Sequence, residues 1–555
     1  MKSFWLRFQQ ELKQHQKLLG LVFLVLLLSL FLRFFKLAQV PHGMTWDEAA
    51  IGYNGYAILH TRRDEWLVRL PISFKSFGDY KAPLAIYLNG LFTWAFGMNL
   101  WAVRLPFALS GVAAVLAMML LMQSLNQTEA DKQDQWLMTV VAGLLLSLSP
   151  WHLHFSRAGF ESGMSLMWLL LGIWGLQRFV LLAQQKQPKN LRVNFKKAFW
   201  LLGASTLLMA AIYTYHSAKV VVPLLILVVA IWQWRIFWQE KFLTALTLVW
   251  TGLLLRPLII DAWFGKGLTR SGTLVFSQGL SVSQLIITLF KHLLIQLSPQ
   301  FLVLGQTTTL RHGDGRFGVL LPTTLLLVIW LLVRWINKKL FVNEQKLPGS
   351  VKSLFYLGWC WVGIGLLPAA LGTEVPHSNR ALLALPGLII LASLGLSDLL
   401  RFLKTKLDAA KLKLTIGLLV GLHLSFFVAY QVNYYTSFAH DSASDFKDGY
   451  LQAFEYAVDY EKGLNDKPQV DKILFTSDYG QPYIYALFVR KTNPIWYQGG
   501  SLVKYEFADK ITVADLEREK TLIVASESDQ LPIDQAKKVV YGSDGQARFK
   551  FYLAN

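Results

Sequence analysis

Four loops hold the residues whose types could do chemistry together. The first opens with Thr45-Trp46-Asp47-Glu48 directly after an apolar run. It continues through Arg62, Arg63, Asp64, Glu65, Lys75 and Asp79 to Tyr80-Lys81-Ala82-Pro83. The second reads Trp151-His152-Leu153-His154-Phe155-Ser156-Arg157-Ala158-Gly159-Phe160-Glu161. The third holds Arg311-His312, and the fourth reads Gly372-Thr373-Glu374-Val375-Pro376-His377-Ser378-Asn379-Arg380. Carboxylates set among several cations suit a site that binds an anionic group and moves a proton. In that chemistry Asp47, Glu48 and Glu161 are the candidate carboxylates. Lys81, Arg157, Arg311, His377 and Arg380 are the candidate anion-binding groups, with Tyr80, His152, His154 and His312 beside them. Each stretch also has a plainer reading. Adjacent acids suit a helix N-terminus, where they complement the dipole, and Trp151 with its neighbours suits a solvated interfacial loop.

Such loops need a scaffold, and the composition says which kind. Of 555 residues, 54% are hydrophobic and 16% charged, against about 25% charged in a soluble domain. About 20 apolar residues cross a bilayer core as a helix. Spans are expected near 18–37, 101–123, 136–153, 163–183, 198–214, 219–237, 241–258, 317–336, 354–371, 380–400 and 412–432. The first apolar stretch is longer than a signal h-region and lacks a small-residue cleavage site, so an uncleaved span with its N-terminus inside is expected. Basic residues then fall in the inner loops near 184–197, 235–241, 334–353 and 401–413, as the positive-inside rule requires. The loop 124–135 is more acidic than basic, but acidic residues count little in that rule. The same register places all four chemical loops on the outer face. The net charge of +19 is therefore read as a topology signal, and no nucleic-acid partner is expected. Residues 84–97 are too short to span, and 284–304 are interrupted by Lys291, His292 and Gln296. Both are expected as interfacial helices.

Beyond Tyr434 the chain turns polar and mixed. Val470–Thr476, Thr521–Ala525, Lys537–Tyr541 and Ala547–Leu553 read as strands and Gln481–Arg490 as a short helix. A transmembrane region 1–434, with a catalytic outer loop 38–100, is thus expected to precede an extracytoplasmic α/β domain 435–555. The single cysteine, Cys360, excludes an intrachain disulfide. The sequon Asn126-Gln127-Thr128 falls in an expected inner loop, and Asp445, Asp448 and Asp459 lack calcium-loop spacing. His216 and His423 are expected to pack near span ends.

The order of features resembles the GT-C glycosyltransferases that use lipid-linked sugars, the superfamily of the protein O-mannosyltransferases and aminoarabinose transferases. The matching features are the Asp47-Glu48 pair after the first span, Lys81-Ala82-Pro83 opening an interfacial helix, and Phe96-Gly97-Met98-Asn99 followed by Trp101-Ala102-Val103-Arg104-Leu105. Ser156-Arg157-Ala158-Gly159-Phe160-Glu161 and Pro376-His377-Ser378-Asn379-Arg380 are similar to bacterial members. The resemblance covers roughly residues 18–432. Two departures stand out: Glu161 where many members have an aspartate, and Lys-Ala-Pro in place of Lys-Pro-Pro.

The resemblance implies a mainly α-helical polytopic protein of about eleven transmembrane helices with interfacial helices, in a bacterial plasma membrane. It implies inverting transfer of a sugar from a polyprenyl-phosphate donor to an acceptor hydroxyl on a protein, lipid or glycan, at the outer face. Asp47 would be the general base and Glu48 would organise the site or acceptor. Lys81, Arg157, Arg311, His377 and Arg380 would hold the donor phosphate. No obligatory cofactor and no metal site are expected, with room left for a supporting divalent ion. Glu48 and partial burial are expected to raise the proton affinity of Asp47, and Trp46 to hold it at headgroup depth. The alternative is a transporter or lipid flippase, which would place charges within its spans and show paired interrupted helices. A third reading is an assembly protein that binds through its C-terminal domain.

Overall fold

The computed structural model describes residues 19–125, 132–185, 191–265, 272, 274–337, 349–497 and 502–553. The sequon and parts of three expected inner loops, 124–135, 184–197 and 334–353, lie outside them. A helix lies within each of the eleven expected spans, starting only at Pro322 in 317–336 and breaking at Gln233 in 219–237. Among the described residues seven helices are long and apolar enough to cross a membrane. An eighth is counted if the bent pair Gln135–Ser147 and Pro150–Arg157, which meet at 55°, is one span. Leu19–Phe34, Ala218–Trp232 and Pro322–Ile336 are apolar but shorter. The chain is a polytopic integral membrane protein. Cys360 lies exposed on the Gly349–Ala370 helix.

The expected span 136–153 is corrected by the bend. Ser149 caps a new helix and Pro150 takes its first position, where a missing N–H costs nothing. The Pro150–Arg157 helix is buried along its whole length. It is therefore not a solvated loop, and the stretch 136–153 is a bent helix pair rather than one straight helix. The two demoted stretches form the helices Pro83–Phe96 and Val282–Gln296, of 14 and 15 residues. At 1.5 Å per residue such lengths reach only about 21–23 Å.

The polar end of the chain builds a five-stranded mixed sheet. Its order is Tyr505–Ala508, Lys472–Thr476, Thr521–Ala525, Ala547–Leu553, Lys538–Tyr541, with the first three parallel and the last two antiparallel to their neighbours. Thr521–Ala525 is buried at every position, as a continuous apolar run in a covered parallel strand should be. The edge strand Tyr505–Ala508 and the helix Tyr450–Lys462 are additions to the sequence reading.

This unit packs directly against the membrane region. One apolar cluster joins Met44, Ala49, Ala50, Tyr53 and Val103 with Tyr450, Phe454, Phe475, Tyr485 and Phe549. Tyr485 donates to the Met44 carbonyl at 2.7 Å and Tyr53 to the Thr492 carbonyl at 2.8 Å. The rings of Tyr450 and Tyr485 stack at 4.2 Å. The first outer loop and the C-terminal sheet therefore share a core.

Candidate active site

The site is built where short elements fix its side chains. Thr45 caps the helix Trp46–Thr61, and its hydroxyl and Glu48 form a reciprocal capping box. Asp47 therefore sits in a rigid first turn. Lys81 ends the hairpin Phe74–Ser76/Asp79–Lys81, whose two-residue turn Phe77-Gly78 has positive φ at both positions. Such turns match the twist of paired strands. Two residues on, Pro83 opens the helix Pro83–Phe96, so Lys81 is pinned from both sides. The helix that carries Asp47 and the helix that follows Lys81 meet at Gly55 and Gly90. A Cβ on Gly55 would lie 2.7 Å from the Gly90 nitrogen, so only glycine permits this approach.

Asp47 lies between two cations. Lys81 Nζ donates to Asp47 Oδ1 at 2.6 Å, and the Arg311 guanidinium donates to Oδ2. Glu161, at the start of Glu161–Gln184, lies 3.7 Å from Lys81 Nζ. Three of the expected carboxylate and cation positions are thus brought to Asp47 from three loops. The Asp47 side chain keeps 25% of its surface exposed, against 9% for Lys81. Burial acts to raise its proton affinity, but Lys81 and then Arg311 outweigh it and hold the carboxyl well below the usual range. The expected upward shift is therefore corrected. It rested on Glu48 and on partial burial; burial does act upward, but the two cations overcome it and Glu48 is paired with Arg104 instead.

Glu48 is fully used inside the fold. Arg104 donates to it through Nε at 2.7 Å and through its NH2 nitrogen at 3.3 Å, and the amides of Thr45 and Gly159 donate at 3.0 Å each. Burial opposes ionisation, but Arg104 and the amides keep its carboxyl below its ordinary value. Arg104 also donates to the carbonyls of Leu37, Pro41 and Gly43. Trp46 packs against Phe77, Gly480, Lys447 and the Arg311 guanidinium, which lies 5.4 Å from its ring, and so also contacts the C-terminal unit.

The other candidates divide. Arg157 is 1% exposed and donates to the carbonyls of Leu32, Arg33, Phe35, Lys36 and Val40. These include the end of the first span, whose last carbonyls lack helical partners and favour a cation. Its guanidinium is turned to the chain's own backbone. His152 faces Arg33 at 2.7 Å in the buried interior. His154 Nε2 meets the Arg311 carbonyl at 2.8 Å, so it holds the loop that carries Arg311.

The rings of His312 and His377 lie 4.4 Å apart, tilted by 33°. Burial and then His377 push His312 well below its ordinary value, so it is neutral. His377 caps the turn Ser378–Ala381, and a buried guanidinium nitrogen of Arg380 has no hydrogen-bond partner among the described residues. Tyr80 gives its carbonyl to His216 at 2.9 Å. Nothing in the sequence marked His216 as the buttress of the Lys81 strand.

Two further features were missed. Arg256 is exposed on the apolar span Lys241–Phe264 and has no ion pair among the described residues. A cation inside an apolar span is uncommon, and its place inside an apolar run was the available signal. A polar cleft of about 630 Å³, lined by Gln300, Gln306, Thr307, Thr308 and Asp445, adjoins the Arg311 loop. Among the described residues no group of three or more His, Cys, Asp or Glu is set to hold a metal ion.

Comparison with solved structures then gives the fold a name. ArnT from Cupriavidus metallidurans, bound to undecaprenyl phosphate, matches with a TM-score of 0.51 at 13% identity, over 97% of this chain and 98% of that one. Its apo state matches at 0.46 and 14%, over 96% and 98%. The Archaeoglobus fulgidus oligosaccharyltransferase, tethered with an acceptor peptide containing the NVT sequon, matches at 0.49 and 14%, over 86% of this chain. This chain spans 63% of that protein's length. No family model and no curated protein matches the sequence. The chain has the GT-C fold.

Proposed function

We propose that this protein transfers a sugar from a polyprenyl-phosphate donor to an acceptor hydroxyl at the outer membrane face, with inversion. The observation that carries the reading is the Lys81–Asp47–Arg311 arrangement: one partly open carboxylate with a cation on each oxygen. A donor phosphate is a second anion competing for the same two cations. As it takes them, Asp47 loses the charges that suppress its basicity and becomes able to accept a proton. The acceptor oxygen then attacks the anomeric carbon while Asp47 takes its proton. The bond from that carbon to the phosphate oxygen breaks, and the electron pair leaves on the lipid phosphate. Lys81 and Arg311 stabilise the charge that develops there. Arg256 is a further cation for the donor, entering from the span. Glu161 holds Lys81 from its far side, and Glu48 organises the helix that carries Asp47. Arg157 supports the first span and is not assigned to phosphate.

The test uses purified protein in lipid nanodiscs, offered polyprenyl-phosphate sugars with protein, lipid and glycan acceptor pools. Release of polyprenyl phosphate that requires Asp47, Lys81 and Arg311 is the expected result. Release that survives Asp47→Asn at near-normal rate removes the base assignment, and no release from any donor removes the activity. The outer location is tested by cysteine labelling of Lys491→Cys in a Cys360→Ala background. Labelling of intact cells is expected; labelling only after permeabilisation inverts the topology.

A further inference from the structure

Arg311 sits in a loop, yet the proposed chemistry needs its guanidinium at a fixed place. The loop is held from the connector that links the last span to the C-terminal sheet. Asp445 Oδ1 accepts from the Thr309 hydroxyl at 2.8 Å, and Oδ2 accepts from the Leu310 amide at 3.3 Å. The Thr309 hydroxyl in turn accepts from the Arg311 amide at 3.2 Å. One carboxylate therefore closes the turn immediately before Arg311, by the backbone-satisfying bonds that define such turns.

The connector is itself anchored on three sides. Phe446 is fully buried. Lys447 lies 4.9 Å from the Trp46 ring, next to Asp47. Asp448 accepts from the Ser543 amide at 2.8 Å, in the hairpin turn of the C-terminal sheet. Gly43, at φ +80°, packs so closely on it that a Cβ would lie 2.5 Å from the Phe446 carbonyl oxygen. The segment 443–448 thus touches the sheet, the Asp47 helix and the Arg311 loop at once.

We infer that Asp445 is a positioning residue that holds Arg311 on Asp47, and that through it the C-terminal unit sets the geometry of the catalytic cation. The inference rests on the proposed phosphate role of Arg311 for its effect on binding, but the clamp can be read separately. Two readouts are needed. The first is hydrogen exchange of the 305–311 segment in the full-length protein. Asp445→Ala should raise exchange at the Leu310 amide. The second is binding of undecaprenyl phosphate in nanodiscs. Asp445→Ala and Arg311→Gln should each weaken it about tenfold, and the double variant should lose no more than Arg311→Gln alone, because the two act as a unit.

Unchanged Leu310 exchange, or losses that multiply in the double variant, overturns the inference. Raised exchange with Arg311→Gln binding unchanged upholds the clamp and removes Arg311 from the phosphate site instead. Asp445→Asn, which keeps one acceptor, serves if Asp445→Ala does not fold. It should show the same effects at smaller size, and a variant indistinguishable from wild type in both readouts counts against the clamp.

Discussion

Asp47 and Glu48 are adjacent in sequence and opposite in circumstance. Glu48 is closed in, 1% exposed, with Arg104 and two amides filling its oxygens. Asp47 stays a quarter exposed between Lys81 and Arg311. Glu65, farther along the same loop, is a third case: 0% exposed, with one oxygen bonded by Asn54 and the other without a partner among the described residues. A closed pair stabilises, an open pair with exchangeable partners can do work, and a buried acid with no cation holds its proton. Position next to a candidate residue says little; the partners decide.

The largest effect should come from breaking the closed pair. Arg104→Met leaves Glu48 buried and unpaired, and loss of one partner of a buried pair costs about 3–5 kcal/mol. Thermal unfolding in detergent should show a large fall in Tm; a Tm near wild type would mean that Glu48 is not held as described. Next come the open-pair cations. Lys81→Gln or Arg311→Gln should weaken undecaprenyl phosphate binding by about 1.5–3 kcal/mol each, the worth of a charged hydrogen bond, with little change in Tm. Calorimetry on nanodisc samples checks this, and equal affinity in both variants would remove them from the phosphate site.

The effect of Glu65 depends on pH and vanishes below the ordinary carboxyl range. Burial pushes its carboxyl up to about 8. The folded state therefore binds a proton that the unfolded chain has released, and stability falls as pH rises from the ordinary carboxyl range to about 8. The slope is at most about 1.4 kcal/mol per pH unit. Glu65→Gln should flatten that slope and stabilise the protein at pH 8. Parallel unfolding curves for the two proteins across that window would contradict the assignment.

The sequence made much of this visible. Apolar length and basic inner loops marked the helices, and short β-rich runs bounded by turn residues marked four of the five sheet strands, because burial imposes those patterns directly. Asp47, Lys81, Arg311 and Glu161 were legible as a set, since charged residues crowd few loops in an apolar chain. The assignment of partners was not. Arg157 and Arg311 look alike in a string of letters, but one meets the free carbonyls of a helix end and the other meets a carboxylate. Trp46 read as a membrane-interface residue because nothing local announces that Lys447 and Gly480, some 400 residues later, pack against it. His216 and Asp445 act through long-range contacts that no local pattern carries.

The central claim is that a lipid phosphate and Asp47 compete for the same two cations. Binding of undecaprenyl phosphate to Asp47→Asn tests it most directly, measured beside wild type and together with turnover. Removing the competing carboxylate should tighten phosphate binding, while turnover falls about 10²–10⁴-fold with the base gone. Unchanged or weaker binding, or tighter binding with turnover intact, would contradict the account.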